Sequence, residues 1–374
     1  MKSLRLILSA AIFLSIHTYI NAQVSLQLTT EQEFNSNPFR SKTPEKNFIS
    51  SYDFTLQQEI GSFGYMYNGT IYNFSNTPDR NFYWHMGGFW KSFENSAISV
   101  SAEQRINDPI YTYFDYFEAA LNYEHQFSFW DMTLDLYPSL VYTSYKNISI
   151  LNNVKTSLTL SINKPFETGT TIITGGAINH KIYTSPDKQD WVSIVNDSGA
   201  VENVLIKSQN ATSISQLTGF LRIAQSITPT TGIAAQYTNK SIISGVASSV
   251  KLLNLTYGDE SEMFDDPVNY GANSLLVELT QIFFEDLQIK LGYYYNSKNY
   301  PSQGIYLNES DYITDITRKD TQNIFQFSAS KKFSLGENID LNIGLKFYTI
   351  SNNSNSYLFK YDSRAFNINA GISF

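Results

Sequence analysis

Apolar and polar residues alternate in stretches of ten or more along this chain, and that period of two limits the fold more than any other feature. In the closing AFNINAGISF, Phe366, Ile368, Ala370, Ile372 and Phe374 fall on one side of an extended strand, and Asn367, Asn369, Gly371 and Ser373 on the other. NIDLNIGLKFYTI sets Ile339, Leu341, Ile343, Leu345 and Phe347 against Asp340, Asn342, Gly344, Lys346 and Tyr348. DLQIKLGYYYN and SFWDMTLDLYP repeat the pattern, the latter with Trp130, Met132, Leu134 and Leu136 opposed to Asp131, Thr133, Asp135 and Tyr137. Such strands separate an apolar from a polar medium.

A sandwich of two sheets also has one wet face, so strand length and loop order must decide between architectures. The pattern predicts about 16 strands, most reaching the nine to eleven residues that a tilted membrane strand needs. They lie near 23 to 33, 47 to 58, 63 to 74, 81 to 91, 96 to 105, 112 to 125, 129 to 144, 154 to 164, 169 to 184, 211 to 225, 231 to 240, 271 to 283, 286 to 298, 321 to 332, 338 to 350 and 359 to 374. Short turns such as QEIGS, SFENS, FETG, ITPTT, FED and SLGEN carry Gly, Pro, Asn or Asp. Between them fall long connections at 185 to 210, 241 to 270 and 299 to 320.

Lys2 and Arg5 precede an apolar run from Leu6 to Ile16, then HTYINA and Gln23, the three-part layout of a secretory signal with cleavage expected after Ala22. Losing Lys2 and Arg5 takes the formal charge from −8 to −10, a balance that disfavours nucleic acid. The chain has no cysteine, so neither disulfides nor thiolate metal sites are expected, nor a lipid-modified amino terminus. Past the signal no apolar window approaches the length of a spanning helix.

These features together resemble the Gram-negative outer-membrane β-barrel class over all of 23–374. The resemblance implies an all-β fold, a transmembrane antiparallel up-and-down barrel of about 16 strands within a range of 14 to 18, with long loops outside. It also implies that Ala370, Ile372 and Phe374 form the carboxy-terminal signal read by the barrel-assembly machinery. The last strand would pair with the first near Val24, Leu26 and Leu28, leaving no open edge in lipid. Phe89, Trp90, Phe93, Phe127, Phe129, Trp130, Phe166, Phe283, Phe284 and Phe333 near the short turns, and Tyr113, Tyr142, Tyr145, Tyr183, Tyr237, Tyr295 and Tyr348 near the long loops, resemble two interfacial girdles. Trimers are common in the class, so a homo-oligomer is possible by resemblance, although the sequence identifies no assembly face.

With apolar faces in lipid, the lumen is expected to carry Asp53, Glu103, Glu118, Asp131, Asp135, Glu278 and Asp340 together with Lys91, Arg105, Arg222, Lys290 and Lys346. Opposed rows of charge would set a transverse field across a pore; paired charges would instead fill a narrow lumen. YGDESEMFDD places Asp259, Glu260, Glu262, Asp265 and Asp266 together, as a solvated outer loop or as an inward, cation-attracting constriction; the spacing departs from the EF-hand pattern. His85 is expected to face the lumen beside Ser99 or Ser101, but no orienting partner for a hydrolase is found. No cofactor or metal motif occurs. The expected function is a passive, porin-like channel for small polar solutes, in contact with outer-membrane lipids. The alternative is a non-conducting anchor that offers its long loops to a surface or secretion partner.

Overall fold

The computed structural model describes residues 23–185, 189–195, 201–207, 211–248, 266–284, 286–309, 311–336 and 338–374. Its strands are β1 (Gln23–Asn35), β2 (Asn47–Ile60), β3 (Phe63–Phe74), β4 (Phe82–Ser92), β5 (Ser96–Asn107), β6 (Tyr116–Phe129), β7 (Met132–Tyr145), β8 (Asn153–Pro165), β9 (Thr170–Tyr183), β10 (Gln189–Val195), β11 (Val201–Lys207), β12 (Ser213–Thr228), β13 (Thr231–Gly245), β14 (Gly271–Phe283), β15 (Leu287–Tyr300), β16 (Ile305–Tyr306), β17 (Tyr312–Ile313), β18 (Arg318–Ser334), β19 (Asp340–Ser354) and β20 (Tyr361–Ser373). Sixteen of them close into one antiparallel barrel in chain order. The pairs β10–β11 and β16–β17 stand apart as small hairpins within the long connections. The 185 to 210 connection, expected as a loop, thus carries a hairpin of its own.

Closure is made by β20 against β1, from Ser373 opposite Gln27 to Ala365 opposite Asn35. Beyond the ladder, Phe374 donates its backbone N–H to Leu26 O at 2.9 Å and accepts from Leu26 N at 3.3 Å. With β19 on its other edge, this strand has its backbone paired on both sides in hydrocarbon, where an unpaired group costs several kcal/mol.

The alternation decides which face is which. Leu28, Phe34, Phe48, Tyr52, Ile98, Val100, Leu140, Leu221, Leu345 and Ile368 are exposed on the outside, while the residues next to each along its strand turn inward. The lower rim carries Phe63, Phe89, Phe127, Phe166, Phe283 and Phe333, all exposed. Trp130 and Phe284 sit there at left-handed φ of 50° and 40°, 90% and 85% exposed, so two turns bear strain of about 1 kcal/mol or more in holding a ring out at the interface. Of the expected girdle residues, Trp90 differs: it covers the inner face of Gly64, where an added Cβ would meet its ring at 2.1 Å. Tyr113, Tyr183 and Tyr348 also point inward or into the mouth, while Tyr142, Tyr237 and Tyr295 are exposed on the outer face.

The described outer connections fold into the mouth. Three short 3-10 turns, Pro109–Phe114, Ser149–Leu151 and Tyr357–Phe359, bring Tyr113, Phe114, Ile148, Ile150, Leu151, Tyr306, Leu358 and Phe359 into one buried apolar cluster. A second cluster joins Tyr183, Ala211, Ile214, Ala247 and Val268.

Candidate functional site: a charged lumen

Between the mouth cluster and the wall of β19, β20 and β1 to β5 lies a cavity of about 400 Å³. Its strand side comes from inward residues at the outer end of each strand: Glu31, Glu33 and Asn35 of β1, Ile49 and Ser51 of β2, Tyr72 and Phe74 of β3, Phe82 of β4, Arg105 and Asn107 of β5, and Tyr348 and Ile350 of β19. Asn37–Arg40, Arg80, Tyr111 and Phe114 cover it. The cover is pinned by Asn37, whose amide donates to Ser41 O at 2.8 Å and to Asp362 O at 3.1 Å.

The cavity's charged lining residues are Glu31, Glu33, Arg40, Arg80 and Arg105. Glu31 accepts from the Asn367 amide. Glu33 accepts from Asn35 Nδ2 at 2.8 Å and from Tyr348 OH at 3.2 Å. The Arg80 guanidinium stacks between Phe39 and Tyr111, at 4.1 and 4.4 Å from their ring centres. Arg105 lies 4.0 Å over Phe82 and 5.3 Å from Phe114, and its Nε donates to Asn107 Oδ1 at 3.1 Å. Tyr72 lies within electrostatic reach of Asp53, Glu31, Glu33 and Arg105.

The remaining predicted lumen residues divide. Asp53 is on the inner face, accepting from Thr70 Oγ1 at 2.5 Å. Glu103 accepts from Tyr116 OH at 2.7 Å, Glu118 from Thr143 Oγ1 at 2.8 Å, and Asp135 from Gln126 Nε2 at 2.9 Å. Arg222 and Glu278 face each other at 3.9 Å. Lys290 lies opposite Thr280 and Ser328 on the inner wall, and Lys346 lies 5.5 Å over the Tyr348 ring. Asp340 is at the lower rim with Lys332 at 2.7 Å.

Two placements correct the expectation. Lys91 stands opposite the lipid-facing Phe63 and rests over Phe63 and Phe93 at 4.9 and 5.2 Å. It is an interfacial lysine whose stem lies along apolar surface and whose ammonium reaches the headgroup level. Asp131 belongs to the exposed turn before β7, 3.5 Å from Lys164, because that strand begins at Met132, one residue after it, and not at 129 as its alternation suggests.

His85 also differs from expectation. It points outward, its Nδ1 2.8 Å from Tyr67 OH, and is paired in register with Gln104. Ser99 and Ser101 lie opposite Trp90 and Gly88, on the inner face, so no serine–histidine pair forms there.

Of the acidic group, Asp259, Glu260, Glu262 and Asp265 lie outside the described residues. Asp266 is no solvated loop acid: Lys181 of β9 reaches it at 2.6 Å, and Gln216 of β12 holds the same segment through Pro267 O at 2.6 Å and Tyr270 O at 2.8 Å.

Sequence reasoning missed Glu31, Glu33, Arg80, Lys181 and the buried pair of Arg318 with Asp320. The Arg318 guanidinium packs 3.4 Å from the Phe359 ring centre and 4.1 Å from that of Tyr300. The β1 carboxylates were recoverable, since Gln27, Thr29, Glu31, Glu33 and Asn35 continue the inner face of the first strand; Arg80, in a turn, has no periodic signal.

A closed cylinder of sixteen strands, apolar outside and charged within, leaves one architectural class. The barrel has the outer-membrane porin fold. OprD of Pseudomonas aeruginosa superposes with a TM-score of 0.51 at 10% identity over 94% of this chain and 95% of that one. OpdK of the same organism, solved with vanillate, gives 0.52 at 9% over 94% and 99%. OccAB2 of Acinetobacter baumannii gives 0.51 at 10% over 96% and 99%. No family model and no curated protein matches the chain in sequence. At such identities the porin likeness is one of fold.

Proposed function

We propose that this barrel is a passive channel for small hydrophilic solutes in a Gram-negative outer membrane, reached by export through the signal at 1–22, and that it catalyses no reaction. The observation that carries the reading is the cavity itself: charged groups of both signs line a recess inside a closed barrel of sixteen strands, a strand number that in porins leaves an aqueous channel. A lumen serving only as a scaffold would gain more by filling with apolar side chains than by burying guanidinium and carboxylate groups. That one barrel of this fold, OpdK, was solved with vanillate supports a solute of comparable size.

Asp53, Glu103, Glu118, Asp135, Arg222, Glu278, Lys290 and Lys346 along the wall would tune which ions pass. Ala370, Ile372 and Phe374, on the seam strand, would be the segment the barrel-assembly machinery reads. The anchor reading draws no support from the described outer segments, which turn into the mouth. Refolded protein in planar bilayers is expected to give stepwise single-channel currents. A correctly folded, heat-modifiable barrel that stays electrically silent would overturn the channel.

A further inference from the structure

Charge is rare on the lipid-facing side of this barrel, and at its lower end what charge there is has one sign. Lys91 of β4, Lys164 of β8 and Lys331 of β18 each stand in register with an outward apolar residue, Phe63, Ile172 and Ile343 respectively. Each ammonium lies over a ring at the lower rim. Lys91 is 4.9 Å from the ring centre of Phe63 and 5.2 Å from that of Phe93, Lys164 is 5.7 Å from that of Phe166, and Lys331 is 5.2 Å from that of Phe333. Such a contact holds a cation at the height of the aromatic girdle. Among the described residues no carboxylate faces outward from the lower half of a barrel strand, and none pairs with Lys91 or Lys331. Lys164 has Asp131 at 3.5 Å, but that carboxylate is 86% exposed in its turn, where water screens the pair. At the upper end, by contrast, Lys319, Asp362 and Arg364 place both signs on the outer face. The three lower lysines stand four, six and six strand steps apart round the closed wall, so no half of it contains them all.

We infer that Lys91, Lys164 and Lys331 are three headgroup sites for anionic glycerophospholipids in the leaflet on the side of the short turns. An ammonium carries three donors. The ring takes one side of it and leaves the others for phosphate oxygens at the headgroup level, with the acyl chains along the apolar wall above. A zwitterionic headgroup brings a cation of its own beside the lysine, where it is repelled. An anionic one, such as that of phosphatidylglycerol, brings none, so charge complementarity selects it. Three attachment points on different sides of a cylinder define a plane, and lipids held there fix its depth and tilt. The inference does not depend on whether the lumen conducts.

The test is native mass spectrometry of the full-length barrel, released from detergent after incubation with phosphatidylglycerol or with phosphatidylcholine of the same acyl composition. Phosphatidylglycerol is expected to be retained at up to three sites, each about fivefold tighter than phosphatidylcholine. Lys91→Gln, Lys164→Gln and Lys331→Gln should each remove one retained lipid, and the triple variant should hold the two lipids alike. Lys332→Gln, adjacent in sequence but engaged by Asp340 at 2.7 Å, should leave the preference as it was. Equal retention of the two lipids by the unaltered barrel would overturn the inference. So would a preference that survives the triple variant, or one that Lys332→Gln removes as readily. The comparison of two lipids on the unaltered protein needs no substitution, so a variant that fails to fold does not blunt the test.

Discussion

Lys181 and Asp266 tie a long outer connection to the inside of the wall, and their chemistry sets a pH limit on that tie. Burial raises the energy of the charged Asp266 carboxylate, but the Lys181 ammonium at 2.6 Å and the Val268 N–H at 2.9 Å outweigh it, holding the carboxyl below the usual range. A carboxyl depressed in the folded state contributes stability that is fully present above its unfolded pKa, near 4, and is lost as pH falls through the lowered folded value. The segment 266–270 is therefore expected to stay latched at neutral pH and to release in acid. Asp266→Asn should release it at pH 7 and flatten the acid response, both read as the rate of limited proteolysis in this connection. A variant as resistant as the parent at both pH values would show that Gln216 alone holds the segment.

A strand here is a device with two unlike faces, and one substitution on each face separates them. Leu345 of β19 looks into lipid, while Gln326, opposite Tyr348 on β18, looks into the lumen. Leu345→Arg is expected to cost about 2–4 kcal/mol in reversible unfolding from lipid vesicles, and Gln326→Arg less than about 1 kcal/mol, since the inner face is already polar and wet. A larger cost for Gln326→Arg would mean the faces are reversed, and equal costs that they do not differ. At this scale the sequence was most legible, because lipid and water impose the same period on every strand: β3 runs 63 to 74 in the structure, as its alternation says. Legibility failed where the period stops. Asp131 was placed inside the seventh strand although β7 begins only at Met132, and Lys91 and His85 were assigned inward although each shares its face with Tyr83 and Phe89. Polar side chains on a lipid face break the simple rule that polar means inside, and only register against a neighbouring strand reveals them.

The barrel's wall and its mouth are held together by different forces. The wall relies on backbone pairing closed at the seam of β1 and β20; the mouth relies on a buried cluster around Phe359 and Tyr113, with the Arg318 and Asp320 pair beside it. The turns that supply this cluster have no common spacing, which is why Arg80 and the cavity cover could not be read from periodicity; Arg318 and Asp320 continue the inner face of β18 but precede residue 321, where that strand was expected to begin. Phe359→Ala should leave the wall intact, with heat-modifiability unchanged, yet loosen the entrance by about 3–5 kcal/mol of lost packing. Single-channel recordings should then be noisier and less often blocked; an unchanged trace would mean that the cluster does not shape the path. Because the gateway is packed like the interior of a water-soluble protein, its form does not depend on the surrounding bilayer. Mutation can remodel what the pore admits without disturbing how the cylinder sits among its lipids, so adaptation to a new nutrient and adaptation to a new envelope proceed on separate residues.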